Sequence, residues 1–469
     1  MTAETRKRTA GLSWMTESEN HVAGAEPGDA ASKDGSHAKE SKRGIMLEEI
    51  LDRRNIEKAL CQVEANKGAA GVDGMRSDEL RSYISVSWQD LRRSILEGGY
   101  RPSPVRKVEI DKPQGGKRML GIPTVVDRML QQAIAQWLTP KYEEQFSKRS
   151  YGFRPNRSAH QAVLQAEQYL RQEKTWVIEL DLEKFFDKVN HDRLMSLLSK
   201  KVTDKRTLKL FRRYLTSGIM EGGVTSPRKE GTPQGSPLSP MLSNIILDEL
   251  DKELERRKHS FVRYADDVSV YVSSETSAKR VMQSMIKFVE EKLLLKVNRE
   301  KTKTSRPEES TLLGFSFRMY KGKWIIKVAR KSAHRIKEKL REITKRNDPL
   351  SEEQRIAKLN KIIKGWVNYF VIAKAKTLMQ HLDGNVRMRL RMCKWKQWKS
   401  IKTRRSNLLK LGARRKDAYL WGRSSKGYCR VAQTYILSQT LTVSYYAKKG
   451  YVGFYNLYYT LTDKQIKLF

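Results

Sequence analysis

Residues 262–271 read Val-Arg-Tyr-Ala-Asp-Asp-Val-Ser-Val-Tyr, two short apolar runs hinged on the adjacent carboxylates Asp266 and Asp267. Like charges that close repel unless a cation sits between them, so paired acids at a hairpin tip need a reason. Hard divalent ions supply one, because they take oxygen ligands and keep positions open for water and substrate phosphates. Successive residues on a straight strand point to opposite faces, so both acids approach one metal cluster only where the chain bends. A third carboxylate comes from a second apolar run, Trp176-Val177-Ile178-Glu179-Leu180-Asp181-Leu182. Three acids on neighbouring strands complete a site for two metals, the arrangement that drives nucleotidyl transfer.

The flanks of these acids narrow the reading. Tyr264-Ala265-Asp266-Asp267 resembles the reverse transcriptase tetrapeptide, and Asp181-Leu182-Glu183-Lys184-Phe185-Phe186-Asp187-Lys188-Val189-Asn190-His191 resembles the first catalytic block of bacterial group II intron reverse transcriptases, or maturases. Thr232-Pro233-Gln234-Gly235-Ser236-Pro237-Leu238-Ser239-Pro240 resembles the block between the acid strands. Lys117–Thr124 and Ser150–Ser158 resemble the two upstream blocks, with Leu313-Gly314-Phe315 and Gly365–Phe370 downstream. The blocks keep the family's order, and the resemblance runs from about residue 44 to the end. Ser236 departs from it, since many relatives carry a second glycine there; a small residue still lets the backbone pass close to a template.

Charge agrees with a polyanion partner. The chain has 469 residues, 93 Lys and Arg against 53 acids, and a net charge of +40. From Lys321 to Phe469 there are 37 basic and 8 acidic residues, so +29 of the charge sits in the last third. A solvated surface does not need that density. Cys61, Cys393 and Cys429 are scattered, which argues for reduced, mostly buried thiols and against a zinc site or disulfide framework. No stretch is long and apolar enough to span a membrane, and no exported N-terminus is visible, so a cytoplasmic location is expected.

Residues 1–43 are rich in Ser, Ala, Glu, Gly and Lys and read as a disordered extension. Lys67–Gly74 is a glycine-rich loop without Gly-Lys-Ser/Thr, so not a phosphate loop; it is a plain connector or, by resemblance, a lid over the template. Strand-like runs at Val105–Ile110, Trp176–Leu182, Phe261–Tyr271 and Leu312–Phe317 alternate with helical stretches at Val125–Leu138, Ala159–Gln172 and Leu238–Arg257. Ala329–Lys345, Glu353–Ile372 and Val386–Lys402 then turn helical and basic. The expected fold is α+β, a right-hand polymerase: fingers and palm over 44–325, a helical thumb and maturase domain over 326–403, and a small basic DNA-binding domain over 404–469. Tyrosines past Ser406 interleave with Lys and Arg, either stacking on bases or filling a small core.

The resemblance assigns roles. Asp181 and Asp266 bridge two Mg2+ ions, with Mn2+ as a substitute; the backbone carbonyl of Leu182 completes the shell of the second ion, and Asp267 plays a supporting part. Phe186 closes over the sugar and excludes a 2′-hydroxyl, or only packs. Gln234 contacts the incoming nucleotide. Arg106 and Lys112 hold the triphosphate, or are surface cations. Lys301 is a candidate for the primer or phosphate side. His160 and His191 lack an acid or nucleophile partner at an informative spacing and read as structural.

The implied function is an RNA-directed DNA polymerase that also acts as a maturase. Its partners are group II intron RNA, an RNA template with a DNA primer, target DNA and deoxynucleoside triphosphates, with no membrane. A splicing cofactor without polymerase activity would have lost catalytic acids, and all three are present. Retron, diversity-generating and phage-defence enzymes lack the Gly365–Phe370 block and the basic C-terminal region. The isolated cysteines and the end at Phe469 predict a type without the cysteine-rich endonuclease. Charge alone predicts that truncation near Ser406 costs nucleic-acid binding more than primer extension.

Overall fold

The computed structural model describes residues 46–111 and 115–466, so Lys112 and the 1–43 extension lie outside the described residues. The chain divides into two compact units, one of residues up to 158 with 178–304 and one of 159–177 with 305 onward.

Among the described residues the strands are β1 (Val105–Asp111), β2 (Lys117–Ile122), β3 (Trp176–Leu180), β4 (Ile219–Glu221), β5 (Val224–Ser226), β6 (Ser260–Tyr264), β7 (Asp267–Val272), β8 (Lys303–Ser305), β9 (Phe315–Tyr320) and β10 (Lys323–Val328). In the first unit one sheet has the order β2-β1-β4-β5 and the other β6-β7-β3-β8. Ser260–Arg263 and Val268–Tyr271 are buried at every position, which is why these strands read as continuous apolar runs rather than alternating ones. The Ser239–Arg256 helix packs on β6 and the Glu275–Glu291 helix on β7. The first starts with proline in its opening turn; the second is capped by Ser274, whose hydroxyl accepts from Ser277 N.

The β6–β7 hairpin closes on the pair Tyr264↔Asp267. Its two turn residues are therefore Ala265 and Asp266, and Asp267 is already the first residue of β7. Ala265 takes φ 57, the positive angle that two-residue hairpin turns require.

In the second unit β9 and β10 form an antiparallel hairpin, and the Ala159–Arg171 helix packs on β10. The strand expected from Leu312 begins only at Phe315, because Leu313 and Gly314 turn at φ 51 and 83. Three basic helices follow, Arg330–Ile343, Glu352–Phe370 and Lys376–Gln397. Ser351 and Gln354 form a reciprocal capping box at the second.

The C-terminal helices pack onto this trio. Asp383 accepts from Tyr451 Oη and from the amides of Phe454 and Tyr455, each at 2.8 Å, capping the Phe454–Ile466 helix. Glu352 pairs with Lys394 at 2.7 Å and accepts from Tyr445 Oη at 2.9 Å. Tyr446, Tyr451 and Phe454 are buried, whereas Tyr435 and Tyr459 are exposed, so the tyrosines divide between core and surface. Of the cysteines only Cys393 is buried; Cys61 and Cys429 are exposed, and all three are free. Among the described residues no helix is long and apolar enough to cross a membrane.

A carboxylate cleft as the candidate active site

Within the first unit, one cleft of about 1250 Å³ is lined by Asp181, Leu182, Phe186, Gln234, Asp266 and Lys301. Each arrives from a different local device. Asp181 follows β3 directly; its amide donates to Thr302 Oγ1 at 3.2 Å and its carbonyl accepts from Asn298 N at 2.9 Å. Asp266 is presented by the β6–β7 turn. Phe186 sits in the one-turn helix Phe185–Lys188, whose backbone is tied to the next loop, since Thr232 N donates to Phe186 O at 2.6 Å. Gln234 rides on that loop, anchored by Gly121 N donating to Gln234 O at 2.8 Å.

Ser236 is buried, donates to Gln131 Oε1 and accepts from Leu238 N, so the serine at this position tethers the loop instead of merely making room. His191 places Nε2 at 2.7 Å from Gly231 O, and His160 places Nε2 at 2.7 Å from Tyr369 O. Both rings serve backbone carbonyls, the first in this unit and the second in the other.

The other expected residues stand elsewhere. Asp267 and Arg106 are not among the residues lining the cleft. Arg106 sits on β1 opposite Ile122, half-buried. Arg128, which the sequence reading missed, lines the cleft and donates to Ala69 O at 2.7 Å. A Cβ on Gly68 would fall 2.3 Å from Arg128 Nη1, and one on Gly71 2.6 Å from Thr124 Cα. The 67–74 loop is thus clamped against the cleft wall, and Gly68 lines the cleft itself. Burial pulls the Arg128 guanidinium below its usual range, with Asp73 opposing and Arg106 adding to the effect.

Electrostatics bear on whether a metal fits. Among the described residues no three His, Cys, Asp or Glu side chains converge closely enough to hold an ion by themselves. The donors are nonetheless hard oxygens, suited to Mg2+ or Mn2+ rather than zinc. Asp267 is pushed up to about 6, first by loss of surrounding water and then by Asp266, Asp181 and Glu179. That mutual repulsion is the condition a divalent cation relieves. Lys301 Nζ lies 3.8 Å from Asp181 Oδ1, a loose pairing at a largely exposed ammonium.

A stability test follows with a definite sign. A carboxyl whose folded pKa is raised from 3.8 to about 6 disfavours its own ionised form, so stability is lost as pH rises through that window. Asp267→Asn should therefore stabilise the metal-free protein at pH 8 and leave it unchanged below pH ~4. The unscreened gain is ~3 kcal/mol, reduced to about 1 kcal/mol because the side chain is exposed to screening. Thermal melts in chelator at both pH values check it; equal melting temperatures at pH 8 would refute it.

Comparison with known proteins identifies the chain's relatives. The sequence model of the reverse transcriptase (RNA-dependent DNA polymerase) family matches residues 110–317, and that of the group II intron maturase-specific domain matches residues 333–412. Protein YkfC of Escherichia coli (strain K12) is 33% identical over 279 residues, covering 51% of this chain and 73% of YkfC. Group II intron-encoded protein LtrA of Lactococcus lactis subsp. cremoris is 36% identical over 200 residues, 42% of this chain but only 33% of LtrA. Among solved structures, the partial Cas6-RT-Cas1–Cas2 complex aligns with a TM-score of 0.35 and 25% identity, over 52% of this chain and 42% of that one.

Proposed function

Because the chain belongs to the reverse transcriptases that carry a group II intron maturase-specific domain, we propose that it extends a DNA primer on group II intron RNA and binds that RNA to assist splicing. One observation carries the polymerase half. Asp181 from the end of β3 and Asp266 from the β6–β7 turn reach a single cleft together with Phe186 and Gln234. Family membership implies divalent-metal chemistry and RNA binding, and we propose that the metal is a pair of Mg2+ ions and that target DNA and deoxynucleoside triphosphates are bound as well.

In this reading Asp181, Asp266 and the Leu182 carbonyl would hold the ions, with Asp267 in support. When bound, the ions lower the primer hydroxyl's pKa and neutralise charge on the leaving phosphates. The chain's own residues do the rest by placement. Gln234 orients the incoming nucleotide on a loop held by Gly121 and Ser236. Lys301 is free enough to follow phosphate charge. By resemblance alone, Arg106, which stands outside the cleft lining, and Lys112 would offset triphosphate charge that the ions leave uncovered. The positive excess from Lys321 onward supports the maturase half through phosphate contacts.

Phe186 is the candidate for sugar selection, since it lines the cleft and its ring packs edge-on against Phe185 at 5.1 Å between centroids. Phe186→Ala should raise ribonucleotide incorporation relative to deoxynucleotide by about 10- to 100-fold, the range one steric contact spans. Single-nucleotide insertion kinetics on an RNA template test this. Unchanged sugar discrimination would reduce Phe186 to packing. Primer extension on RNA, with the acid variants argued below, tests the polymerase assignment as a whole.

A further inference from the structure

Strand β6 carries one cation in an otherwise apolar run, Arg263, and both it and its partner Asp251 are fully buried. The guanidinium uses Nε and Nη2 on the carboxylate, at 2.6 to 3.0 Å. Its third nitrogen, Nη1, points along the strand and donates to Asn244 Oδ1 at 2.9 Å and to Ala265 O at 3.0 Å. Asn244 in turn donates from Nδ2 to Gly152 O at 3.0 Å. Gly152 is pressed against the same turn, where a Cβ would lie 2.1 Å from Ala265 N. Tyr151 N donates to Arg263 O at 2.8 Å, and Arg263 N to Arg149 O at 3.0 Å.

A buried ion pair is poor evidence for stability, because well-packed apolar side chains of similar volume often do as well. What only the guanidinium supplies here is the extra pair of donors, one of them spent on the carbonyl of the turn. That carbonyl belongs to an alanine held at φ 57, a conformation that L-residues avoid unless their surroundings impose it. The next residue is Asp266. Lysine could not substitute, since a single ammonium cannot pair side-on with Asp251 and still span to Ala265 O.

Resting on the polymerase reading above, we propose that Arg263, aligned by Asp251 and Asn244, is a positioning residue. It fixes the Ala265–Asp266 turn from behind the cleft so that the Asp266 carboxylate meets divalent metal in one geometry.

The test uses the full chain with Arg263→Met and Asp251→Leu combined, which removes the charges together and keeps the volume. Two readouts are taken: primer extension across a Mg2+ titration, and Mn2+ binding by electron paramagnetic resonance. The double variant should melt cooperatively near the wild type. Its kcat should fall about 10- to 100-fold, with KM for nucleotide within about 3-fold and half-saturating Mg2+ raised at least about 5-fold, as expected for a loosened ligand shell. Mn2+ affinity should drop in parallel, and Arg263→Lys should not restore it. Asn244→Ala, which leaves the ion pair in place, should shift half-saturating Mg2+ in the same direction by about 3-fold. Wild-type Mn2+ affinity and Mg2+ dependence in the double variant, or in Asn244→Ala where the double variant does not fold, would overturn the proposal. A wild-type protein that binds Mn2+ yet extends no primer would overturn the polymerase reading instead.

Discussion

Alanine at Asp181 or at Asp266 should abolish primer extension, a loss of at least ~10³-fold in rate, while leaving RNA affinity within about 2-fold. The two effects separate because the acids and the basic excess occupy different parts of the chain. Asp181 and Asp266 line the cleft, whereas +29 of the +40 lies from Lys321 onward. Neither substitution should unfold the protein. Both positions are only half-buried, and removing either charge relieves the repulsion that raises Asp267. Melting temperatures at or above the wild-type value, beside absent extension, are the expected pair of results. Asp267→Ala should cost less, since that side chain stands outside the cleft lining. Strong residual extension by Asp181→Ala or Asp266→Ala would sink the assignment of the site.

The acid strands were legible because their chemistry and their burial coincide: Phe261–Tyr271 and Trp176–Leu182 are largely apolar runs that carry the candidate acids. The hinge was less so. Two adjacent aspartates read as the tip, but the turn is Ala265–Asp266, and nothing in the composition of an Ala-Asp pair announces a positive φ. Its cause is distant in sequence, in Gly152, Asn244 and Asp251. A signal for this was available, since Arg263 is a charge that follows the apolar pair Phe261-Val262 within a strand, and a charge in such a setting needs a specific partner. Asn244 and Asp251, seven residues apart on one helix, share the face that supplies it. Arg128 left no such trace, because a cation in a +40 chain looks like background.

The third basic helix shows a different failure. Val386–Lys402 was the expected span, and the helix runs Lys376–Gln397. Met379, Leu382, Val386 and Leu390 form one buried stripe that runs straight through Asp383 and Gly384. Asp383 is tolerated mid-helix because its carboxylate caps a second helix that begins 71 residues later. Local propensity cannot see such a partner.

That same carboxylate changes what truncation should do. A chain ending before residue 404 should lose the fold of the helices over 330–397, and not merely part of its nucleic-acid affinity. Val431, Ile436, Leu437, Tyr446 and Phe454 are at most 1% exposed, and each fully buried side chain of this kind contributes about 1.5–3 kcal/mol. Their sum, of order 10 kcal/mol, matches the whole stability of a typical domain. Deletion also strips Asp383 of its three donors and Glu352 of Tyr445, leaving acids that are buried in the intact chain with fewer partners. Limited proteolysis should therefore cut the truncated protein rapidly within 330–397, and its thermal transition should broaden or vanish. Intron RNA binding should fall with it. Selective loss of binding, the outcome expected from charge alone, is better sought with exposed basic residues neutralised one by one in the full chain. A truncated protein that melts sharply at the wild-type temperature would show that the helices over 330–397 hold their fold without this cover.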